Sequence, residues 1–257
     1  MVWKSAITYV EENKIITRGY RQEDLIGRVP FSHAVFLLWM GRLPTENEGK
    51  MMDALITACI DHGPKTPSIL TPRIVAGCGV PFSTAVATGV LAIGDVHGGA
   101  IERCAYLLQE GVSRGEAEGK SLEDIAREIV SDFREKKKRI PGFGHRIHTS
   151  DPRAKRLFDL SHDLKIAGKH VELARCIEEE LERAIGKKLP INVDGAIGAI
   201  ISDMGFDYRL GKAFFIMGRV AGIVAHVYEE ITREKPMREL CKVEYEYDGP
   251  RERDLSI

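Results

Sequence analysis

Residues 210–231 read LGKAFFIMGRVAGIVAHVYEEI, with apolar side chains on nearly every side of a helix. A helix without a polar face is expected to be buried. The stretch therefore predicts a long, buried helix. One residue resists that environment. Arg219 sits inside FFIMGRVAGIV, and an unpaired buried charge is expensive, so it needs a partner.

Other segments also read as helices, with recognisable ends. ENEGKMMDALITACI follows Thr45, a cap candidate. In SLEDIAREIVSDFREKKK, Ser121 and Asp124 come close to a capping box, and basic residues gather at the far end. DPRAKRLFDLSHDL opens on Asp151 and Pro152, a good cap and first turn. HVELARCIEEELERAI is amphipathic and stops before Gly186. Strand signals are few: KIITRGY near the start and KVEYEY near the end. The expected class is all-α with a small β decoration. STAVATGVLAIG, residues 83–94, is rich in small residues that let helices approach closely. It suits either tight core packing or a subunit interface.

A chain of 257 residues fits one large domain or two lobes. Its 37 Lys and Arg nearly balance 38 Asp and Glu, so net charge argues for neither nucleic acid nor an anionic membrane as partner. The five cysteines are scattered without a CxxC pair, which points to reduced thiols and a cytoplasmic location. MVWKSAITYV does not read as a secretory signal. Apolar runs such as AVFLLWM are too short to span a bilayer.

Four segments place a polar or charged residue beside Gly or Pro at a helix edge: DHGPKTPS, GDVHGGAIE, IPGFGHRIHTSDPRA and INVDGAIG. Their reactive residues are His62, His97, His145 and Asp194. Taken singly, each His suits a turn and Asp194 suits a cap on the helix GAIGAIISDMG. Competing chemistries fail on spacing. There is no HExxH and no Cys/His cluster for a metal, and no GxSxG elbow for a serine hydrolase. The glycines of PGFGH do not follow a clear strand, which argues against a dinucleotide fingerprint. KKKR at 136–139 reads as a solvated helix end.

The order of these segments, taken together, resembles citrate synthase and its relatives. The likeness begins at TRGYRQEDLIGRVPFSHAVFLLWMGRLPTENE, continues through DHG, HGGA, GFGHR, DPRA and NVD, and reaches RVAGIVAH. It covers nearly the whole chain. The chain is short for a full citrate synthase, and its size looks more like a stand-alone citryl-CoA lyase, a relative of the C-terminal module of ATP citrate lyase.

That resemblance implies a reaction between acetyl-CoA and oxaloacetate, or its reverse, the cleavage of citryl-CoA. Both pass through an enol of acetyl-CoA. By similarity, Asp194 is the base that takes the methyl proton, and His97 donates a hydrogen bond to the thioester oxygen. The glycines beside His97 would let the thioester approach the main chain. His145 would serve the keto oxygen of oxaloacetate. Arg153 and Arg219 match the family's carboxylate-binding arginines, and His62 a further substrate-binding histidine. Arg153 also suits an ordinary surface ion pair. Coenzyme A enters as the acyl-CoA substrate; Arg146, Lys187 and Lys188 are its candidate cations, with Lys136, Lys137, Lys138 and Arg139 as further ones. No metal or redox cofactor is implied.

One departure stands out. The family's last segment often reads Arg-Pro-Arg and reaches the neighbouring subunit's substrate. Here it reads EKPMREL, so Lys235 takes the first position, with Arg238 nearby and Arg251 and Arg253 further on. Lysine carries charge without the bidentate fork. The implied activity is citryl-CoA lyase. The alternatives are a citrate or 2-methylcitrate synthase, or a non-catalytic CoA-binding subunit, against which the presence of His97, His145 and Asp194 argues. The implied architecture is two-lobed, with residues 1–97 and 206–257 in a large lobe and 98–205 in a small one. A homodimer is implied, with no nucleic-acid or membrane partner.

Overall fold

The computed structural model describes residues 2–144, 151–237, 246–250 and 252. The chain is mostly helical. A small antiparallel sheet opens it: β1 (Thr8–Glu11), β2 (Lys14–Thr17) and β3 (Tyr20–Arg21), in the order β1-β2-β3. Thr8 pairs with Thr17 and Ile16 with Arg21. The segment KIITRGY therefore makes two strands rather than one, turning at Arg18 and Gly19, both at positive φ. Strand β1 carried no clear alternation and was not expected. Arg18 ties the sheet to the helices by donating from Nε and Nη2 to the Leu38 carbonyl. Of the second expected strand, KVEYEY, residues 242–245 lie outside the described residues, and Glu246 and Tyr247 are in no strand.

The helices follow: α1 (Gln22–Leu25), α2 (Phe31–Met40), α3 (Glu46–Ala58), α4 (Pro67–Ala76), α5 (Phe82–Leu91), α6 (Ala100–Glu118), α7 (Leu122–Glu135), α8 (Pro152–Asp163), α9 (Lys169–Ile185), α10 (Val193–Asp203) and α11 (Gly211–Arg233). Their ends are set by local chemistry. Thr45 accepts from the Glu48 amide while the Glu48 carboxylate accepts from the Thr45 amide, a complete capping box. Ser121 and Asp151 cap α7 and α8 by accepting from the amides of Asp124 and Arg153. Helix α9 ends at Gly186 in the left-handed conformation.

The main core gathers side chains from α2, α3 and α6 to α11. Helix α10 runs through it, buried from Gly195 to Ser202, between α6, α8 and α9. A smaller cluster joins Ile69 and Ala76 of α4, Ala85 of α5, and Ile223 and Val227 of α11. Helix α11 packs against α3, α4, α5 and α6, as its composition required.

One expectation for this helix is corrected. It is not buried all round, because Val224, Tyr228 and Ile231 are exposed. With the preceding helical turn, the stretch Tyr208–Arg233 is long and apolar enough to cross a bilayer by length and composition alone. Short apolar runs separated by Lys212 and Arg219 join into one continuous helix, which inspection of single runs does not reveal. Both Arg219 and Glu230 of this helix are buried and hydrogen-bonded within the protein.

Candidate active site

The stretch around His97 is a closed turn. The Gly94 amide donates to the His97 carbonyl at 2.9 Å, and the His97 amide donates back to Gly94 at 3.1 Å. The two glycines that follow answer to the protein's own packing, not only to an approaching ligand. Gly98 has φ +86°, and a Cβ there would lie 2.7 Å from a ring carbon of Phe215. A Cβ on Gly99 would lie 2.7 Å from the Asp95 Cα. Side chains at either position would push the turn off α11 or open it. Helix α6 begins directly afterwards, so its positive end faces the turn.

The half-buried ring of His97 stands edge-on to Phe215, with centroids 5.5 Å apart. Its Nε2 lies 2.9 Å from the hydroxyl of Ser68 and 3.4 Å from the Ser68 amide, which donates to it. The same hydroxyl accepts from Nη1 of Arg219 at 3.1 Å. This chain of contacts selects a tautomer. Because Arg219 can only donate, the Ser68 hydroxyl is free to donate its own proton to His97. Nε2 is then the acceptor, and Nδ1 carries the ring proton. Burial, then the nearby Arg219 charge, holds the imidazole below its ordinary pKa, so the neutral form is favoured.

Arg219 is almost fully buried, and its expected partners are now visible. Nε donates to the Cys59 carbonyl at 3.1 Å, and the guanidinium stacks 4.6 Å from the centre of the Phe215 ring. Burial lowers its pKa, but an arginine begins so high that it stays charged. The carbonyl of Cys59 reaches it because Gly218 and Gly222 leave no side chain on that face of α11. A Cβ on either would collide with the carbonyl oxygens of Ile56 or Ile60. The connection carrying His62, which is exposed, is thereby laid directly on α11.

Asp194 is the second residue of α10. The cap is Asn192, whose side chain accepts from the Gly195 amide; Asp194 itself does not cap, which corrects the simpler reading of that aspartate. Asn192 also donates from Nδ2 to the Gly144 carbonyl at 2.8 Å, while its amide donates to Gly142. The chain leading to position 145 is thus laced to the turn that presents Asp194. Asp151 adds a further tie: one oxygen accepts from the Val193 amide at 3.1 Å, and both oxygens bind Arg153, at 3.1 and 3.0 Å. Arg153 is therefore held by a fork to its neighbour at the start of α8, and the expected ion pair is not an ordinary surface one, because the Asp151 carboxylate is buried.

Asp194 keeps some accessible surface, yet burial pushes its carboxyl above the usual carboxylate range. Arg153 and Arg219 oppose the rise, and Asp151 reinforces it, so all three lie within electrostatic reach. Cys59 and Cys104 border the same carboxylate. Both thiols are buried and pushed up to about 12, which keeps them protonated.

The structure thus brings His97, Arg219, Arg153 and Asp194 into one electrostatic neighbourhood, with the His62 connection packed beside it. Lys187 and Lys188 lie exposed between α9 and α10, and Lys235 lies exposed just beyond α11. His145 and Arg146 lie outside the described residues, as do Arg238, Arg251 and Arg253. Sequence reasoning missed Ser68. It stands in the segment DHGPKTPS, but a serine after a proline at a helix start signals a first turn and nothing more. It also missed that Asp151, read as the cap of α8, holds the start of α10 as well.

Comparison with known proteins places this arrangement. A family model described as citrate synthase, C-terminal domain, matches residues 46–240. The solved structure of citryl-CoA lyase from Hydrogenobacter thermophilus is 47% identical, with a TM-score of 0.90 over 99% of this chain and 98% of that one. ATP-citrate synthase beta chain protein 1 of Arabidopsis thaliana is 28% identical over 89% of this chain, which spans 37% of that relative's length. Citrate synthase of Helicobacter pylori is 31% identical over 95% of this chain, which spans 55% of the relative.

Proposed function

Because the chain belongs to the citrate synthase family, we propose that it cleaves citryl-CoA to acetyl-CoA and oxaloacetate. The observation that carries this reading is the likeness to the Hydrogenobacter citryl-CoA lyase across the whole of both chains, at 47% identity. The tautomer and burial described for His97 and Asp194 give it a chemical route.

In the cleavage direction, citryl-CoA loses its hydroxyl proton to His145 as the carbon–carbon bond breaks. One fragment leaves as oxaloacetate. The other carries the bonding electrons as an enolate, with its charge on the thioester oxygen. His97 donates from Nδ1–H to that oxygen. A neutral donor held by Ser68 is already aimed, and such a donor is typically worth about 3 kcal/mol in the transition state. Asp194 then delivers a proton to the terminal carbon, giving acetyl-CoA. Burial that raises its pKa suits this role, since the carboxyl must hold a proton when the enolate forms. In condensation the same groups act in reverse.

Arg219 and Arg153 are the partners we assign to the carboxylates of oxaloacetate, with His62 as a further ligand. Arg219 uses two of its donors on Cys59 and Ser68, and its fixed plane can offer the others to an anion. Arg153 must share or exchange Asp151 to do the same. Arg146, Lys187 and Lys188 are assigned to the CoA phosphates, and Lys235 to a substrate carboxylate of a neighbouring subunit. Closure of a small lobe, residues 98–205, on a large one would exclude water from the enolate.

We also propose a homodimer. Helices α4, α5 and α11 pack on one another, and each leaves apolar side chains exposed: Leu70 and Ile74, Phe82 and Leu91, and Val224, Tyr228 and Ile231. Such a surface on three adjoining helices supports an interface. Cys59, Cys78, Cys104 and Cys176 are free thiols, which supports a reducing compartment such as the cytoplasm.

The likeness to the Helicobacter citrate synthase supports a second reading, in which the thioester of citryl-CoA is hydrolysed. The two separate in one assay. Purified protein is given citryl-CoA, and oxaloacetate, acetyl-CoA, citrate and free CoA are followed together. Oxaloacetate and acetyl-CoA as main products establish the lyase. Citrate and free CoA, with efficient condensation, establish the synthase.

A further inference from the structure

His226 is not needed for any chemical step above, yet it sits at a junction. Gly218, Gly222 and His226 follow one another at four-residue intervals, one stripe along α11. The two glycines accept the chain from Ile56 to Ile60 against the helix backbone. His226 ends the stripe where that chain turns. Its Nε2 lies 3.3 Å from Oδ1 of Asp61. The other oxygen of Asp61 accepts from the Gly63 amide at 3.0 Å, closing the turn over residues 61–63. His62 is the middle residue of that turn.

The far side of the ring faces a carboxylate at longer range. Nδ1 of His226 lies 3.6 Å from Oε2 of Glu229, which in turn lies 3.5 Å from Nη1 of Arg73. Arg73 donates from Nε to the buried Glu230 at 2.7 Å. Nδ1 itself is buried without a hydrogen-bond partner among the described residues, so the ring bears on the turn through its Nε2 contact with Asp61. Asp61 therefore touches both the ring and the turn that carries His62.

We propose that His226 is a positioning residue: through Asp61 it fixes the turn carrying His62, and so sets how tightly the acid substrate is held. This rests on the reading of His62 as a substrate-binding residue. It adds a specificity device outside the groups that touch the reacting atoms.

The test uses the full chain with His226→Leu, His226→Gln and His62→Ala, singly and combined, each checked for native circular dichroism. Glutamine keeps an N–H at the distance of Nε2; leucine does not. Oxaloacetate affinity is measured by calorimetry, turnover at saturation is measured separately, and amide exchange over residues 61–63 is followed by mass spectrometry. Leucine is expected to weaken oxaloacetate about tenfold, the worth of one charge-assisted contact, with turnover within about threefold of wild type. Glutamine restores the affinity. In the His62→Ala background, leucine adds no further loss, because the pair acts as one unit. Faster exchange of the turn in His226→Leu is expected whatever the substrate proves to be. Unchanged exchange overturns the coupling, and additive losses in the two backgrounds overturn action through His62. A wild-type protein that neither binds oxaloacetate nor turns over citryl-CoA rejects the proposed function instead, and the exchange data still judge the coupling.

Discussion

The hydroxyl of Ser68 lies 2.9 Å from Nε2 of His97, although 29 residues separate them in the chain. Because Arg219 donates to the same oxygen, this contact does more than hold the ring: it decides which ring nitrogen carries the proton. Ser68→Ala is expected to lower turnover by about tenfold to a hundredfold, since a donor no longer aimed forfeits much of what an aimed one contributes. The KM for the CoA thioester should change little. Turnover equal to wild type in a folded Ser68→Ala protein would remove Ser68 from the argument.

The His97 ring should report its surroundings directly. Burial and Arg219 hold its pKa below the ordinary imidazole value of about 6.5. Nitrogen-15 NMR should show a neutral ring with the proton on Nδ1, still unprotonated where an exposed histidine is half charged. The sign for stability follows. The unfolded chain takes up this proton first as pH falls, so the contribution of His97 is complete above about 6.5 and is lost below it.

Asp194→Asn separates chemistry from folding. Removing the proton carrier is expected to lower turnover by about 100- to 10,000-fold. Stability should move the other way. The folded carboxyl has a raised pKa, so ionising it disfavours the folded state, and that penalty grows as pH rises from about 3.9 through the folded value. Urea midpoints of the variant should match wild type near pH 4 and exceed it near neutrality. A difference that stays constant across this range would contradict the raised pKa.

The glycines of α11 should be intolerant of any side chain. A methyl group at Gly218 or Gly222 meets a backbone carbonyl rather than a flexible side chain. Each Gly→Ala change is expected to destabilise by about 1–3 kcal/mol, read as a lower urea midpoint. Both variants should also weaken oxaloacetate binding, because the same displacement moves the Cys59 carbonyl that holds Arg219 and the turn that holds His62.

The proposed dimer can be tested on its apolar face. Tyr228 and Ile231 are exposed on α11 and are not among the residues assigned to the reaction. Replacing both with glutamate should give a monomer in analytical ultracentrifugation, with unchanged helix content and reduced activity if a neighbouring subunit completes the site. A wild-type protein that sediments as a monomer at micromolar concentration would end the proposal.

Much of the helical framework was legible in the residues themselves. Thr45 with Glu48, Ser121, Asp151 with Pro152, and Gly186 mark helix ends through contacts made within a few residues. Such contacts form whatever the distant chain does. The need of Arg219 for a partner was equally plain, because desolvating a charge is costly in any fold. The identity of its partners was not. Cys59 and Ser68 lie 160 and 151 residues away, and Cys59 reaches Arg219 only because Gly218 and Gly222 let one backbone rest on another. The tautomer of His97, the double duty of Asp151, the exposed face of α11 and the place of His226 belong to the same class. Each depends on which surfaces the packed helices cover and which distant groups they bring within about 3 Å, the range over which a hydrogen bond acts. Local sequence determined where the helices begin and end; tertiary packing alone decided which polar groups meet, because hydrogen bonds are short-ranged and burial is a property of the whole fold.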